Sequence, residues 1–108
     1  MFTPVCKLAD LQEEGELYRY DVAEKPLLVL RFRGSIYVAN SICTHEEADL
    51  SLGMFGDGVV TCPLHGAKFQ VIDGKVILGP DGSPASEIPS LKVYPVKVEN
   101  GEVYIDLG

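Results

Sequence analysis

Short apolar segments separated by turn dipeptides run the length of the chain, and no stretch keeps the 3.6-residue period of a long amphipathic helix. Strands are predicted over residues 17–22 and 27–32, and the second, Leu27-Leu28-Val29-Leu30-Arg31-Phe32, is apolar enough to be buried on both faces. Arg33-Gly34-Ser35 turns the chain into a third strand over 36–40. Residues 59–62 and 68–72 read as extended, Asp73-Gly74 has hairpin-turn chemistry, and 75–78 returns. Residues 91–98 and 102–107 flank Asn100-Gly101, a dipeptide suited to a type I′ turn because both central residues of that turn need positive φ. Asp10 as N-cap, with Glu13 three residues on, predicts one helical turn within 8–14 that Gly15 ends. The pattern is that of an all-β chain.

At 108 residues the chain has the size of one domain, 1–108, and the Gly79-Pro80-Asp81-Gly82-Ser83-Pro84 segment reads as a surface loop within it. Apolar residues at 46% and charged residues at 23% are the balance of a globular protein with a modest core. Nine basic against sixteen acidic side chains give a net charge of −7, which argues against nucleic acid as a partner. No apolar run is long enough to cross a bilayer and the first residues lack the blocks of a signal peptide, so a cytoplasmic protein is expected. Three cysteines, Cys6, Cys43 and Cys62, are an odd number in such a chain. Metal or redox chemistry explains them better than a disulfide framework.

Both histidines lie beside cysteines: Cys43-Thr44-His45, then sixteen residues, then Cys62-Pro63-Leu64-His65. Each segment places a thiolate and an imidazole in one tight loop, and two such loops together supply two sulfur and two nitrogen ligands, enough for a metal centre. Zinc accepts such a set, but its common spacing pairs cysteine with cysteine and histidine with histidine, whereas here the two types alternate. Alternation suits a two-iron, two-sulfide cluster of mixed ligation, in which each loop gives one ligand to each iron.

On these residues the sequence resembles the Rieske ferredoxins, small electron carriers of bacterial ring-hydroxylating dioxygenase systems, over nearly its whole length. Cys43-Thr44-His45 and Cys62-Pro63-Leu64-His65-Gly66 match the two cluster loops, Gly79-Pro80 a third, covering loop, and Tyr94-Pro95-Val96 to Tyr104 the closing hairpin. The resemblance implies a Rieske iron-sulfur fold, with an antiparallel β-sandwich base and a small cluster-binding subdomain at approximately 41–84. It implies one Rieske-type [2Fe-2S] cluster, with Cys43 and Cys62 on the inner iron and His45 and His65 on the outer one. The implied role is a monomeric electron carrier, not an enzyme, between an NAD(P)H-dependent flavoprotein reductase and a terminal oxygenase, with no membrane partner. A small Rieske subunit bound permanently to a nitrite-reductase-like reductase is the alternative, and a zinc-stabilised interaction module a second one.

Departures from the wider superfamily sharpen this. The respiratory and photosynthetic Rieske proteins carry an extra cysteine in each cluster loop, where this chain has Ala48 and Leu64, so no disulfide ties the loops. Those proteins also hold a serine and a tyrosine hydroxyl against the cluster, where this chain has Ala67 and Phe69. Without these donors the reduced cluster is less favoured, and a potential near the low end of the roughly −150 to +300 mV Rieske range is expected. His45 and His65 are expected to mark the docking face, with Leu64, Pro80 and Met54 or Phe55 as an apolar shell, plain core packing being the alternative for Met54 and Phe55. Glu46, Glu47 and Asp49 are read as a solvated edge, with steering of a basic partner as the functional alternative. Cys6 is expected to be a small buried residue of an edge strand, and Arg31 and Arg33 to face solvent together.

Overall fold

The computed structural model covers all 108 residues and holds eleven strands in three antiparallel sheets. The first sheet has β1 (Phe2–Lys7) on one side and β10 (Val96–Glu99) on the other of β11 (Glu102–Asp106). The second runs β2 (Tyr18–Val22), β3 (Lys25–Phe32), β4 (Ser35–Asn40), β9 (Val93–Tyr94). The third is built from the middle of the chain: β5 (Met54–Gly56), β6 (Val59–Thr61), β7 (Lys68–Gln70) and β8 (Val76–Leu78).

The second sheet is the shared wall of two cores. Along β3 successive side chains point to opposite faces. Leu27 and Val29 pack with Val22, Ile36, Val38, Tyr94, Val103 and Ile105 toward the first sheet. Leu28 and Leu30 pack with Leu50, Val60, Phe69, Val71 and Leu91 toward the third, in the cluster that also contains Cys43 and Cys62. All four β3 residues are fully buried, as a strand apolar on both faces predicts.

The turns follow local chemistry. Asn100 and Gly101 have φ of 51° and 77°, the paired positive values of a type I′ turn, and Glu99 sits opposite Glu102. Arg33 and Gly34 make the same kind of two-residue turn between Phe32 and Ser35. The stretch predicted as one strand over 91–98 is two, because Pro95 has no N–H for a sheet ladder. The chain breaks there, and β9 pairs with β4 while β10 pairs with β11, so it passes from one sheet to another. The helical turn is a single 3-10 turn, Leu8–Asp10, opened by Lys7 and not by Asp10. The Asp10 carboxylate closes it by accepting the Lys7 N–H at 3.3 Å.

Two further expectations are corrected. Arg31 is half-buried and its Nε donates to the Leu11 carbonyl at 2.7 Å, whereas Arg33, in the turn, is exposed with its guanidinium over the Phe32 ring. The two arginines therefore do not share a solvent face. Cys6 lies in edge strand β1, as expected, but is only half-buried, and burial together with nearby Asp10 pushes its thiol up to about 11.

Candidate metal centre

Two loops, one after β4 and one between β6 and β7, carry the cysteines and histidines, and both close in the same way. In the first, the Cys43 N–H donates to the Ala48 carbonyl at 2.9 Å and the Leu50 N–H to Ser41 at 2.7 Å. In the second, the Cys62 N–H donates to the Ala67 carbonyl at 2.8 Å. Each closure turns the cysteine inward, so that Cys43 and Cys62 are 4% and 3% exposed. Each sends its histidine outward, and the two rings stand 5.7 Å apart, nearly edge to face, at an interplanar angle of 76°. Thr44, between the first two ligand candidates, donates its hydroxyl to the Pro89 carbonyl at 2.8 Å. A third loop braces the second: the Asp81 N–H donates to the His65 carbonyl at 2.7 Å.

The four sequence-predicted residues converge. A single atom, Oε1 of Glu46, lies 2.7 Å from His65 Nδ1, 4.0 Å from His45 Nε2 and 4.0 Å from Cys62 Sγ. Burial pushes the Cys43 thiol up, and the neighbouring Cys62 adds to the rise; the backbone N–H groups of His45 and Glu46, directed at the Cys43 sulfur, act in the opposite sense. Such donors favour a thiolate. The Glu46 carboxylate, as acceptor of a hydrogen bond from the His65 ring, raises the pKa of His65.

The acidic run after the first loop is not one solvated edge. Glu47 is exposed, but Glu46 turns back onto the histidines and Asp49 onto the base. The Asp49 carboxylate accepts the Ser41 and Ser51 hydroxyls, the Ser51 N–H and the Arg19 guanidinium. Burial alone would raise its pKa; these hydrogen bonds outweigh it and bring it down to about 2. Ser41 and Arg19 are residues that sequence reasoning missed, because nothing in their local sequence points to Asp49; Ser51, two residues beyond Asp49, did carry a local signal, that of an Asp N-cap.

The expected apolar shell is also different. Met54 and Leu64 are exposed, while Phe55 turns inward against the Phe32 ring at 5.3 Å. Strand alternation on β5 separates Met54 from Phe55, and Leu64 sits at the tip of the second loop. Pro80 is half-buried in the third loop. The cysteines are instead enclosed by the second core, in which Ala48, Ala67 and Phe69 are buried and bring no hydroxyl.

The profile of the family described as "Rieske [2Fe-2S] domain" matches residues 1–95. The chain belongs to that family. Among curated relatives, the ferredoxin component of the naphthalene 1,2-dioxygenase system of Pseudomonas putida is 36% identical over 95 residues, covering 88% of this chain and 86% of the relative. The 3-phenylpropionate/cinnamic acid dioxygenase ferredoxin subunit of Escherichia coli K12 is 38% identical over 104 residues, covering 94% and 90%. A chain in the solved complex of reduced oxygenase and oxidized ferredoxin in carbazole 1,9a-dioxygenase superposes with a TM-score of 0.78 at 35% identity, covering 96% of this chain and 91% of that one. The cofactor of this Rieske protein is a [2Fe-2S] cluster of the Rieske type. The residues present fit it: two enclosed thiols and, at the mouth, two imidazoles, a mixed sulfur and nitrogen donor set.

Proposed function

We propose that this Rieske protein is a soluble ferredoxin that takes single electrons from an NAD(P)H-dependent flavoprotein reductase and delivers them to a terminal aromatic-ring-hydroxylating oxygenase. Cys43 and Cys62 hold the inner iron of the cluster, and His45 and His65 the outer one. Residues 41–84 form the cluster-binding part, and the remainder is the base that holds the two loops in register. When bound, the cluster supplies reversible one-electron chemistry. The chain's own residues do the rest. The second core keeps water from the cysteine side, the two backbone closures fix the thiols, and the exposed imidazoles offer the partner a short path to the outer iron.

The observation that carries this reading is the convergence of one inward cysteine and one outward histidine from each of two similarly closed loops. The two relatives named above, both ferredoxin components of dioxygenase systems, supply the partners by analogy. Working as a shuttle, the protein is a monomer that makes a small, transient interface. It acts in the cytoplasm; no helix is long and apolar enough to cross a membrane.

The test is low-temperature EPR of the dithionite-reduced protein with iron and sulfide analysis. A rhombic signal with average g below 2, two irons and two labile sulfides per chain are expected, and substitution of His45 or His65 should abolish or convert the signal. An unchanged spectrum in both variants refutes the ligand assignment. Sedimentation with and without a candidate reductase addresses the shuttle, which a stable stoichiometric complex would contradict.

A further inference from the structure

The mouth of the metal centre holds a third donor that a cluster with two cysteine and two histidine ligands does not use. Glu46 is one residue beyond His45, and its side chain is 20% exposed. It turns away from solvent to place Oε1 at 2.7 Å from His65 Nδ1 and 4.0 Å from His45 Nε2. Donor atoms of His45, Glu46 and His65 all lie within 4.8 Å of one another. Ligands about 2.0–2.2 Å from one divalent ion stand roughly 3–3.5 Å apart. The separations from Oε1, 2.7 and 4.0 Å, bracket that spacing, and the exposed rings of His45 and His65 have room to adjust toward it. The carboxylate has no lysine or arginine partner; its ion-pair contacts are the two imidazoles. Both thiols lie deeper, with Cys62 Sγ 4.0 Å from Oε1. An ion arriving from solvent therefore meets two nitrogens and an oxygen before it meets sulfur, and that set suits a borderline divalent transition metal.

We propose that the cluster-free chain binds one divalent transition-metal ion at His45, Glu46 and His65, with Glu46 as a ligand that the cluster-loaded protein releases. The site shares its two histidines with the proposed cluster and rests on no particular redox partner. Its consequence is competition: an ion held there occupies the histidine half of the centre and slows cluster insertion.

Cobalt(II) is the probe, because thiolate ligation gives an intense sulfur-to-metal charge-transfer band that nitrogen and oxygen ligation lacks. The full-length chain, freed of cluster under anaerobic conditions, is titrated with cobalt(II) and followed by absorption and calorimetry. One ion per chain is expected, with weak ligand-field bands and no intense near-ultraviolet band. Glu46→Gln should weaken binding by about tenfold or more, and Glu47→Gln, at the exposed neighbour, should leave it unchanged. Equal affinity in wild type and Glu46→Gln, absence of stoichiometric binding, or an intense thiolate band would each overturn the proposal. Anaerobic reconstitution of the wild type with iron and sulfide tests the proposed function separately, since a brown-red cluster can form whichever way the cobalt titration comes out.

Discussion

Asp49 accepts the Arg19 guanidinium at 2.8 Å, a contact that joins the first ligand-bearing loop to strand β2 of the base. The same carboxylate takes the hydroxyls of Ser41 and Ser51 and the Ser51 N–H. Ser41 is fully buried, so Asp49 also satisfies a hydroxyl that would otherwise be desolvated without a partner. The arrangement bolts down the end of the loop that begins with Cys43.

Asp49→Asn should destabilise the fold near neutral pH by about 2–3 kcal/mol, the equivalent of depressing a carboxylate from about 3.9 to its folded value of about 2. With the folded pKa below the unfolded one, this stabilisation is fully present above the unfolded value and is lost as pH falls through about 2. Chemical denaturation at a series of pH values should show wild type and variant converging in acid. Parallel curves down to the lowest pH would contradict the role given to this side chain.

Ala67 and Phe69 are fully buried in the core that encloses the cysteines. Phe69→Tyr and Ala67→Ser each introduce a hydroxyl there. A donor that reaches the cluster sulfur or a thiolate should raise the midpoint potential by about 50–100 mV, the one-electron equivalent of about 1–2 kcal/mol. Protein-film voltammetry of the loaded variants reads this directly. A fall in potential in both would reverse the explanation offered for a low-potential centre.

Glu47 and Asp81 are exposed on the side of the molecule that carries the histidines, and Asp81 lies close enough to His65 to help raise its pKa. In a chain of net charge −7 such carboxylates favour a basic partner surface. The second-order rate of electron delivery to an oxygenase should fall as ionic strength rises. Glu47→Lys should be slower than wild type at low salt, with the two proteins' rates meeting at high salt. Stopped-flow rates that ignore salt would exclude a steering role for these groups.

Gly53 ends the first loop where it meets β6. A Cβ there would stand 2.0 Å from the Thr61 carbonyl oxygen and 3.2 Å from that of Leu50. Gly53→Ala should therefore cost about 2–3 kcal/mol and speed loss of the cluster, because the displaced strand leads directly into Cys62. Gly56→Ala is the control, with nothing within 4 Å of the added methyl. Equal melting temperatures for the two variants would remove the argument from close approach.

What the sequence discloses divides along the range of the interactions involved. Asn100-Gly101 is legible because its turn depends on two adjacent residues. Leu27 to Leu30 announce a strand buried twice over because both faces are written in one apolar run. Cys43, His45, Cys62 and His65 stand out because their types are rare here and each segment sets a histidine two or three positions after a cysteine. By contrast, Arg31 reads as a surface residue until the Leu11 carbonyl is brought to it, and Asp49 reads as one more acid until Arg19 and Ser41 arrive from other elements. Pro95 could have been read as the end of one strand and the start of another, since it lacks a ladder donor. Glu46 could not, because its inward turn depends on where the second loop places His65.

The matched amide closures at Cys43 and Cys62 bear on how the molecule responds to losing its iron. Each turn is latched by its own peptide groups, so the frame should keep its shape without an inorganic keystone. Small zinc-dependent domains behave differently and collapse when their ion is stripped. Here chelation should bleach the protein while leaving its β-sheet circular dichroism intact, which makes emptying and refilling a reversible exchange on a standing scaffold.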